Sequence, residues 1–173
     1  MDITDIISVY KIPEYQKVKQ GIIDSLNEVG ATRLREGENS PPDVYMTNYY
    51  EYNNWPYDDR VNDVIKSFLD DYAKDGWCSI FGGHMWHQVY EKGDYHDWHV
   101  HAGNNMAAVV NVQCEDNQGT LFKIGEYVYQ YPSVEGTIIY FPAGILHRTP
   151  VHESDTPRII MSINWDNKWD DKK

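Results

Sequence analysis

Residues 135–164, EGTIIYFPAGILHRTPVHESDTPRIIMSIN, alternate β-type runs with short turns that contain proline, glycine and charged residues. The runs TIIYFP, LHRTPV and RIIMSIN are rich in β-branched and aromatic residues, which is typical of strands. Runs of the same kind recur upstream, namely CSIFGGHMWHQVYE, MAAVVNVQ, TLFKI and EYVYQY. Because about seven short strands follow one another without helices between them, the sequence predicts a β sandwich or barrel and not a parallel α/β sheet.

Two helices are predicted before these strands. The first has apolar residues at helical spacing over residues 15–29 and stops at Gly30, a common helix terminator. The second opens after Asp58 and Asp59 and closes at Gly76. Each helix has one apolar stripe, which predicts packing against a sheet. We therefore expect a mainly β fold with N-terminal packing helices, of the α+β class.

The chain has 173 residues, which is the length of one domain with one sizeable core. We expect a single domain over residues 1–173, with helical support at 1–76 and a β core at 77–166. The cysteines Cys78 and Cys114 lie in apolar, strand-like segments without CxxC spacing. They are expected to be free thiols and not part of a disulfide framework.

The chain carries a formal net charge of −12 at pH 7. Such a field repels phosphate backbones and anionic lipid headgroups, so neither nucleic acid nor a membrane is an expected partner. No apolar run approaches the ~20 residues of a membrane span. The first residues, MDITDIISVYKIPEY, lack the basic segment and apolar stretch of a signal peptide, so we expect a cytoplasmic protein. The oligomeric state is left open.

The segment between the two helices, GENSPPDVYMTNYYEYNNWPYDD, is polar, contains proline and is rich in tyrosine. This is the composition of a loop or an edge strand. Two interpretations of it remain open. Residues 37–58 form either a substrate lid, with the tyrosines of 45–57 as one wall of a pocket, or a solvated connection.

Three of the seven histidines lie within six positions, in the segment GDYHDWHVHAGNN at residues 93–105. If residues here are extended, alternation puts Asp97, His99 and His101 on one face of the sheet and His96 on the other. Two imidazoles at i and i+2 then point into the same space, as adjacent ligands of a metal ion require. Exposed histidines on an edge strand have the same spacing, so a third ligand is needed.

His147 is the best candidate for that third ligand, because a β run and a proline–glycine turn place it at the start of a strand. The remaining candidates, His84, His87 and His152, lack a comparable setting. They are expected to be ordinary polar positions.

Arg158 opens the last strand, where a period of two puts it on one face with Ile160, Ser162 and Asn164. A guanidinium directed into a barrel interior needs an anionic partner, because a buried unpaired charge is costly. That partner is either an internal carboxylate or the carboxylate of a ligand, which arginine binds in a bidentate manner.

The segment YEKGDYHDWHVH, followed by residues 135–164, resembles the Fe(II)/2-oxoglutarate-dependent oxygenases. In that family a double-stranded β-helix, or jelly roll, carries H-x-[D/E], a distal histidine and an arginine about ten residues further on. The chain is similar to a subgroup in which a second histidine stands in the acidic position. The resemblance covers residues 84–165, about half of the chain, and its specificity lies in the combination of motifs.

The resemblance implies an oxidoreductase in which His99, His101 and His147 hold Fe(II) and leave three positions open. Arg158 would anchor the far carboxylate of the co-substrate 2-oxoglutarate, with Ser162 as a further hydrogen-bond donor. The implied reaction is a dioxygenase reaction, in which 2-oxoglutarate is converted to succinate and CO2 while a C–H bond is hydroxylated. A small molecule, an amino acid or a peptide side chain is the expected substrate.

The strand before the histidines adds to the resemblance. The pattern Gln88-x-Tyr90-x-x-Gly93 mirrors an Asn-x-Tyr pattern of nucleic-acid-demethylating members, which implies that Gln88 and Tyr90 contact 2-oxoglutarate. A packed strand with Tyr90 in the core is the alternative. With the neutral His101 in the acidic position, two roles of Asp97 remain open: its carboxylate binds the metal in place of His101, or it accepts a hydrogen bond from a ligand imidazole, which we favour.

A rival resemblance is to the cupins, which carry G-x5-H-x-H and later G-x5-P-x-G-x2-H. The chain matches both motifs, from Gly93 and from Gly136, but Asn105 and Met106 stand where the cupin glutamate is expected. A cupin-type metalloenzyme would keep the three histidines and dispense with 2-oxoglutarate. A third interpretation is a non-catalytic β-barrel binding module, against which the glycine-flanked histidines and the interior arginine argue.

Overall fold

A computed structural model describes residues 6–34, 44–46, 56–115 and 119–169. These residues form two helices and eleven strands. In chain order the elements are β1 (Ser8–Lys11), α1 (Tyr15–Val29), β2 (Thr32–Leu34), β3 (Val44–Met46), α2 (Asp59–Gly76), β4 (Cys78–Tyr90), β5 (His96–His99), β6 (Met106–Gln113), β7 (Thr120–Ile124), β8 (Tyr127–Tyr131), β9 (Thr137–Pro142), β10 (Leu146–Thr149) and β11 (Arg158–Trp169).

The strands form two sheets. A major sheet of seven strands has the order β1-β9-β6-β11-β4-β3-β2, and a minor sheet of four has the order β5-β10-β7-β8. Every pairing among the described strands is antiparallel. The prediction of a mainly β fold with two helices, and not a parallel α/β sheet, is therefore confirmed.

The two helices have the limits that the sequence predicts. The carboxylate of Asp58 accepts a hydrogen bond from the backbone N–H of Arg60 at 2.9 Å, which caps the first turn of α2. Helix α1 is followed by Gly30, whose φ of 75° is readily adopted only by glycine. A capping carboxylate thus marks the start of α2, and a glycine marks the end of α1.

Both helices pack on one face of the major sheet. Ile22 and Leu26 of α1 and Ile65 and Phe68 of α2 are buried there, and Met161 of β11 belongs to the same cluster. Full burial of side chains of this size stabilises the fold by about 1.5–3 kcal/mol each. The helices therefore cover this face and leave the opposite face of the sheet for the minor sheet.

A second core lies between the two sheets. Trp86, Tyr90, Phe141 and Ile160 of the major sheet are buried together with Phe122 of the minor sheet. The centre of this space lies next to β4 and β11, which pair along most of their length. Side chains that alternate inward from β4, β11 and β10 therefore meet between the sheets.

The segment between the two helices contains a short strand, β3, whose limits the sequence did not indicate. Strand β3 pairs with both β2 and β4, so 44–46 is part of the major sheet. Residues 35–43 and 47–55 lie outside the described residues, so the two interpretations of 37–58, a lid or a solvated connection, fall mostly on residues that the structure does not describe. Tyr57 is buried, and its hydroxyl lies 3.0 Å from Nδ1 of His87.

Two further expectations concern cysteines and membranes. Cys78 and Cys114 are both free thiols, as predicted, and Cys78 is buried. Among the described residues, neither helix combines the length and the apolar character needed to cross a bilayer.

Candidate metal centre

Strand pairing in the minor sheet brings two of the predicted histidines together. His147 of β10 and His99 of β5 are direct register partners, so their side chains lie side by side. His101 follows the end of β5, and its backbone N–H donates to the carbonyl of Ala143 at 2.9 Å. This bond ties the segment after β5 to the turn that precedes β10. The three imidazoles therefore converge from two adjacent segments of the fold.

The three rings are close enough to share one ion. One ligand atom from each of His99, His101 and His147 lies within 4.8 Å of the other two. Nε2 of His101 and Nε2 of His147 are 3.2 Å apart. Two nitrogens that bind one ion at ~2.1 Å and at right angles are about 3 Å apart, so this pair has the spacing of adjacent ligands.

The other ring nitrogen of each histidine faces a carbonyl oxygen. The partners are the backbone oxygen of Asp97 for His99 at 2.7 Å, the backbone oxygen of Ile145 for His147 at 2.8 Å, and Oδ1 of Asn164 for His101. Because a carbonyl only accepts, Nδ1 is the protonated nitrogen in each ring. Each Nε2 then carries a lone pair, and this is the tautomer that binds a metal.

The site is enclosed by aromatic side chains. Phe141 and Phe122 have ring centroids 4.8 and 5.9 Å from that of His147, and Trp86 lies 5.5 Å from His101. His101 and His147 are only 7% and 3% exposed. This enclosure strips water from the rings and disfavours their charged form.

Burial accordingly keeps the histidines neutral. It lowers the pKa of His101 to about 4 and the pKa of His147 well below its ordinary value. The pKa of His99 is lowered for the same reason, although its bond to the backbone of Asp97 acts in the opposite direction. Among the described residues, no carboxylate joins the grouping, so the donor set consists of three neutral nitrogens.

Asn164 and His84 form a chain behind His101 that the sequence did not reveal. The side-chain amide of Asn164 lies 3.3 Å from Nε2 of His84, and the ring of His84 stacks on Trp86 at 5.1 Å. His84 lies outside the metal grouping found among the described residues, as expected, and it contacts that grouping through Asn164. The alternation of side chains along β11 predicts that Asn164 points inward, and this was the indication in the sequence that it could contact the histidines.

The other two histidines that the sequence set aside are buried and engaged elsewhere. His87 contacts the hydroxyl of Tyr57 on the helix-covered face of the major sheet. Nε2 of His152 lies 2.8 Å from the backbone oxygen of Thr156. Neither belongs to the metal grouping found among the described residues.

His96 lies on the face of β5 opposite to the one expected. Its ring stacks on that of His99, with centroids 3.8 Å and planes 11° apart. His99 pairs with His147, whereas His96 pairs with Thr149, so three steps along β5 match two steps along β10. This extra residue is a β-bulge, and it resets the alternation between His96 and His99.

Asp97 contacts the site through its backbone. Its carbonyl accepts from His99, whereas its exposed carboxylate accepts from the backbone N–H of Trp98 at 2.8 Å. Strand β5 ends at His99, so the single extended strand expected through His101 is also corrected. The carboxylate of Asp97 is outside the metal grouping found among the described residues, and it acts on His99 through its charge, which acts to raise the pKa of that ring.

Arg158 and Tyr90 lie opposite each other on β11 and β4. Arg158 is 1% exposed, and its guanidinium carbon is 5.9 Å from the centre of the Tyr90 ring. Burial raises the pKa of Tyr90 to about 12, although the neighbouring Thr149 and the charge of Arg158 act in the opposite direction. Among the described residues, the buried hydroxyl of Tyr90 has no hydrogen-bond partner. Thr149 lies two residues after His147 on β10. Arg158 and Tyr90 therefore occupy the same space between the sheets as the histidine cluster.

Gln88 and Ser162 lie further along the same two strands. Ser162 donates from Oγ to Oε1 of Gln88 at 3.2 Å, and Nε2 of Gln88 lies 3.3 Å from Nδ1 of His96. Both side chains are buried. Gln88 therefore joins a buried hydrogen-bonded chain that reaches the histidine cluster through His96.

No protein-family model matches the sequence, and no curated protein matches it. Solved structures do match. A prolyl hydroxylase from Trichoplax adhaerens, in complex with a hypoxia inducible factor oxygen degradation domain peptide fragment, has a TM-score of 0.67 at 11% identity, over 94% of this chain and 84% of that chain. An oxidoreductase of the 2OG-Fe(II) oxygenase family from Burkholderia pseudomallei has a TM-score of 0.64 at 11% identity, over 91% and 84%.

HygX from Streptomyces hygroscopicus, with nickel and 2-oxoglutarate bound, has a TM-score of 0.64 at 9% identity, over 94% of this chain and 84% of that chain. At these identities the similarity is one of fold. The resemblance that the sequence motifs indicate is confirmed at this level, and His99, His101 and His147 are positioned to bind a metal. The chain therefore has the fold of the Fe(II)/2-oxoglutarate-dependent oxygenases.

Proposed function

We propose that this protein is an Fe(II)- and 2-oxoglutarate-dependent oxygenase that hydroxylates a small molecule, an amino acid or a peptide side chain. The observation that carries the proposal is the pair of Nε2 atoms of His101 and His147 at 3.2 Å. Both Nδ1 protons are donated to carbonyl oxygens, so two lone pairs face each other across this gap. The two lone pairs repel each other, and a metal cation bound by both nitrogens would remove this repulsion.

Three neutral imidazoles on one side of an ion suit Fe(II) and leave positions for other ligands. Iron bound there would supply the redox chemistry that couples 2-oxoglutarate breakdown to C–H hydroxylation. The chain itself contributes fixed ligand orientation, through the carbonyl partners of Nδ1, and an aromatic enclosure that limits water. Because the ligands are neutral, the ion keeps its full double charge, which favours an anionic co-substrate.

Arg158 is the proposed partner of the far carboxylate of 2-oxoglutarate. Its burial on the inward face of β11, beside Tyr90 and near Thr149, supports this role. A guanidinium binds a carboxylate with two parallel hydrogen bonds, which fixes both position and direction. Tyr90 keeps its proton at neutral pH and is a hydrogen-bond donor for the same carboxylate.

Gln88 and Ser162 line the co-substrate site in this proposal. The sequence resemblance implies that Gln88 contacts 2-oxoglutarate and that Ser162 donates a hydrogen bond to it. In the structure Ser162 donates to Gln88, and the amide of Gln88 lies next to His96. We retain Ser162 and Gln88 as part of the wall of the co-substrate site and assign direct contact to Arg158 and Tyr90. We further propose that the two sheets form a double-stranded β-helix within a single domain.

The substrate class is also a proposal. The prolyl hydroxylase of similar fold is in complex with a peptide fragment, which supports a peptide or a small molecule as substrate here. The net charge of −12 favours a neutral or cationic substrate over nucleic acid.

Succinate formation tests the proposal without knowledge of the substrate. Purified protein with Fe(II), ascorbate and 2-oxoglutarate should form succinate slowly in the absence of a prime substrate. Arg158→Gln should raise the KM for 2-oxoglutarate at least tenfold, because the variant lacks the charged, bidentate partner. Arg148→Gln is the matched control, since this arginine lies over the ring of Trp98 and should leave the KM unchanged.

The result also discriminates between the alternatives. Iron binding without succinate, unaffected by Arg158→Gln, would contradict the proposal and favour a cupin-type metalloenzyme. Failure of the wild-type protein to bind any divalent metal would favour a non-catalytic binding module.

A further inference from the structure

His96 is the residue next to the metal site for which the proposed function has no role. Its ring lies flat on that of His99, at 3.8 Å between centroids. Among the described residues, the grouping that shares one ion comprises His99, His101 and His147 and does not include His96. Its contact with the site therefore runs through His99.

The ring of His96 is itself held in place. Because the carbonyl end of Gln88 accepts from Ser162, the amide end of Gln88 is the donor toward Nδ1 of His96. Gln88 and Ser162 lie on β4 and β11, the two long paired strands of the major sheet. His99 belongs to β5, a four-residue strand at the edge of the minor sheet. His96 thus connects a short edge strand to the most extensively paired part of the fold.

We propose that His96 is a positioning residue that clamps the ring of His99 in its metal-binding orientation. This inference rests on the metal-binding role proposed for the three histidines and does not depend on 2-oxoglutarate. A ring that is fixed beforehand loses less freedom when it binds an ion. An imidazole bound to a cation is also electron-poor, so the neutral ring stacked on it stabilises the bound state through its π electrons.

Anaerobic Co(II) titration tests the inference, because the visible d–d bands report both affinity and coordination geometry. His96→Ala should weaken Co(II) binding by about 10–100-fold and alter the bands, as the loss of an outer-shell partner does. His96→Phe restores an aromatic ring and should bind within about fivefold of wild type. Tyr95→Ala, a neighbour with an exposed ring, is the matched control and should bind as wild type does.

Proton NMR of the Co(II) protein adds a readout that a general loss of stability would not produce. Wild type and His96→Phe should each show three exchangeable resonances with large paramagnetic shifts, one for the Nδ1 proton of each ligand. Near-UV circular dichroism checks that each variant is folded. If His96→Ala does not fold, His96→Phe provides the test. Affinity within about fivefold of wild type and three shifted resonances would support the inference, and a larger loss of affinity would contradict it.

Four results would overturn the inference. Wild-type affinity and bands in His96→Ala would remove the positioning role, as would equal losses in the alanine and phenylalanine variants. A fourth shifted resonance that is absent from His96→Phe would make His96 a ligand instead. If wild type does not bind Co(II), the proposed metal centre fails and this inference fails with it, whereas the first three results leave that centre intact.

Discussion

Oδ1 of Asn164 accepts a hydrogen bond from Nδ1 of His101, and the amide nitrogen of the same side chain lies 3.3 Å from Nε2 of His84. The side chain of Asn164 therefore contacts two histidines, His101 through its acceptor oxygen and His84 through its donor nitrogen. One end sets the tautomer of a ring in the metal cluster, and the other is anchored to the neighbouring strand β4.

Loss of this acceptor should weaken metal binding. We expect Asn164→Ala to lower Co(II) affinity about 10–100-fold, because Nδ1 of His101 loses the partner that fixes its tautomer. Asn164→Asp keeps an acceptor and should retain affinity within about tenfold. Asn167→Ala is a control on the same strand, since the contacts of Asn167 with Asn105 use its backbone. Equal affinities for Asn164→Ala and Asn167→Ala would contradict the prediction.

Removal of a ligand should abolish metal binding while the fold persists. His147 is 3% exposed and its ring contacts Phe122 and Phe141. The variant His147→Ala removes a ligand and these ring contacts but keeps the backbone pairing of the short strand β10. We expect no measurable Co(II) or Fe(II) binding and a near-UV circular dichroism spectrum close to wild type. His152→Ala is the control, because this buried histidine lies outside the metal cluster. Retained metal binding in His147→Ala would exclude it as a ligand.

His87 makes the fold sensitive to acid. Burial lowers its pKa from 6.5 to about 4, so between these values the unfolded chain binds a proton that the folded chain does not. The free energy of unfolding should therefore fall as the pH drops from 6.5 toward 4, by up to about 3 kcal/mol from this residue. Urea titrations of the metal-free protein at pH 7 and 4.5 measure the loss.

His87→Phe should show a smaller loss over the same pH interval, because it removes the titrating group. Tyr57→Phe removes the hydrogen bond to His87 and keeps the imidazole, so its pH dependence should resemble that of wild type. An unchanged pH dependence in His87→Phe would contradict the assignment.

Helix α1 approaches the turn before β9 at a glycine. Gly136 has a φ of 74°, and an added Cβ would lie 2.4 Å from Cγ of Tyr15. Gly136→Ala should therefore lower the free energy of unfolding by about 2 kcal/mol or more, through backbone strain and displacement of the tyrosine ring. Gly144→Ala meets nothing within 4 Å and should change it by about 0.5 kcal/mol or less. Similar urea midpoints for the two variants would contradict this prediction.

Local chemistry made much of the fold predictable. Helix α2 has an aspartate at its N-cap, which marks its start, and it ends at Gly76, after which Trp77 adopts the left-handed conformation. Strands β6 to β11 could be located from their composition and the turns between them. Strands β1 to β3 could not, because runs of three or four residues are too short to show a period of two.

The site could be predicted only as far as regular alternation applies. The convergence of His99, His101 and His147 followed from motif spacing, and the inward direction of Arg158 followed from the period of its strand. The stacking of His96 on His99 depends on the extra residue of β5 opposite β10, which is a property of the pairing and not of either segment. The link from Asn164 to His84 joins residues 80 positions apart, beyond any local pattern.

A crystal structure of the protein with a divalent metal and the oxalyl analogue of glycine tests the central claim most directly. The claim predicts one ion bound by Nε2 of His99, His101 and His147, with the far carboxylate of the analogue on the guanidinium of Arg158. An ion bound without the analogue, or Arg158 engaged by a protein carboxylate while the analogue lies elsewhere, would contradict it.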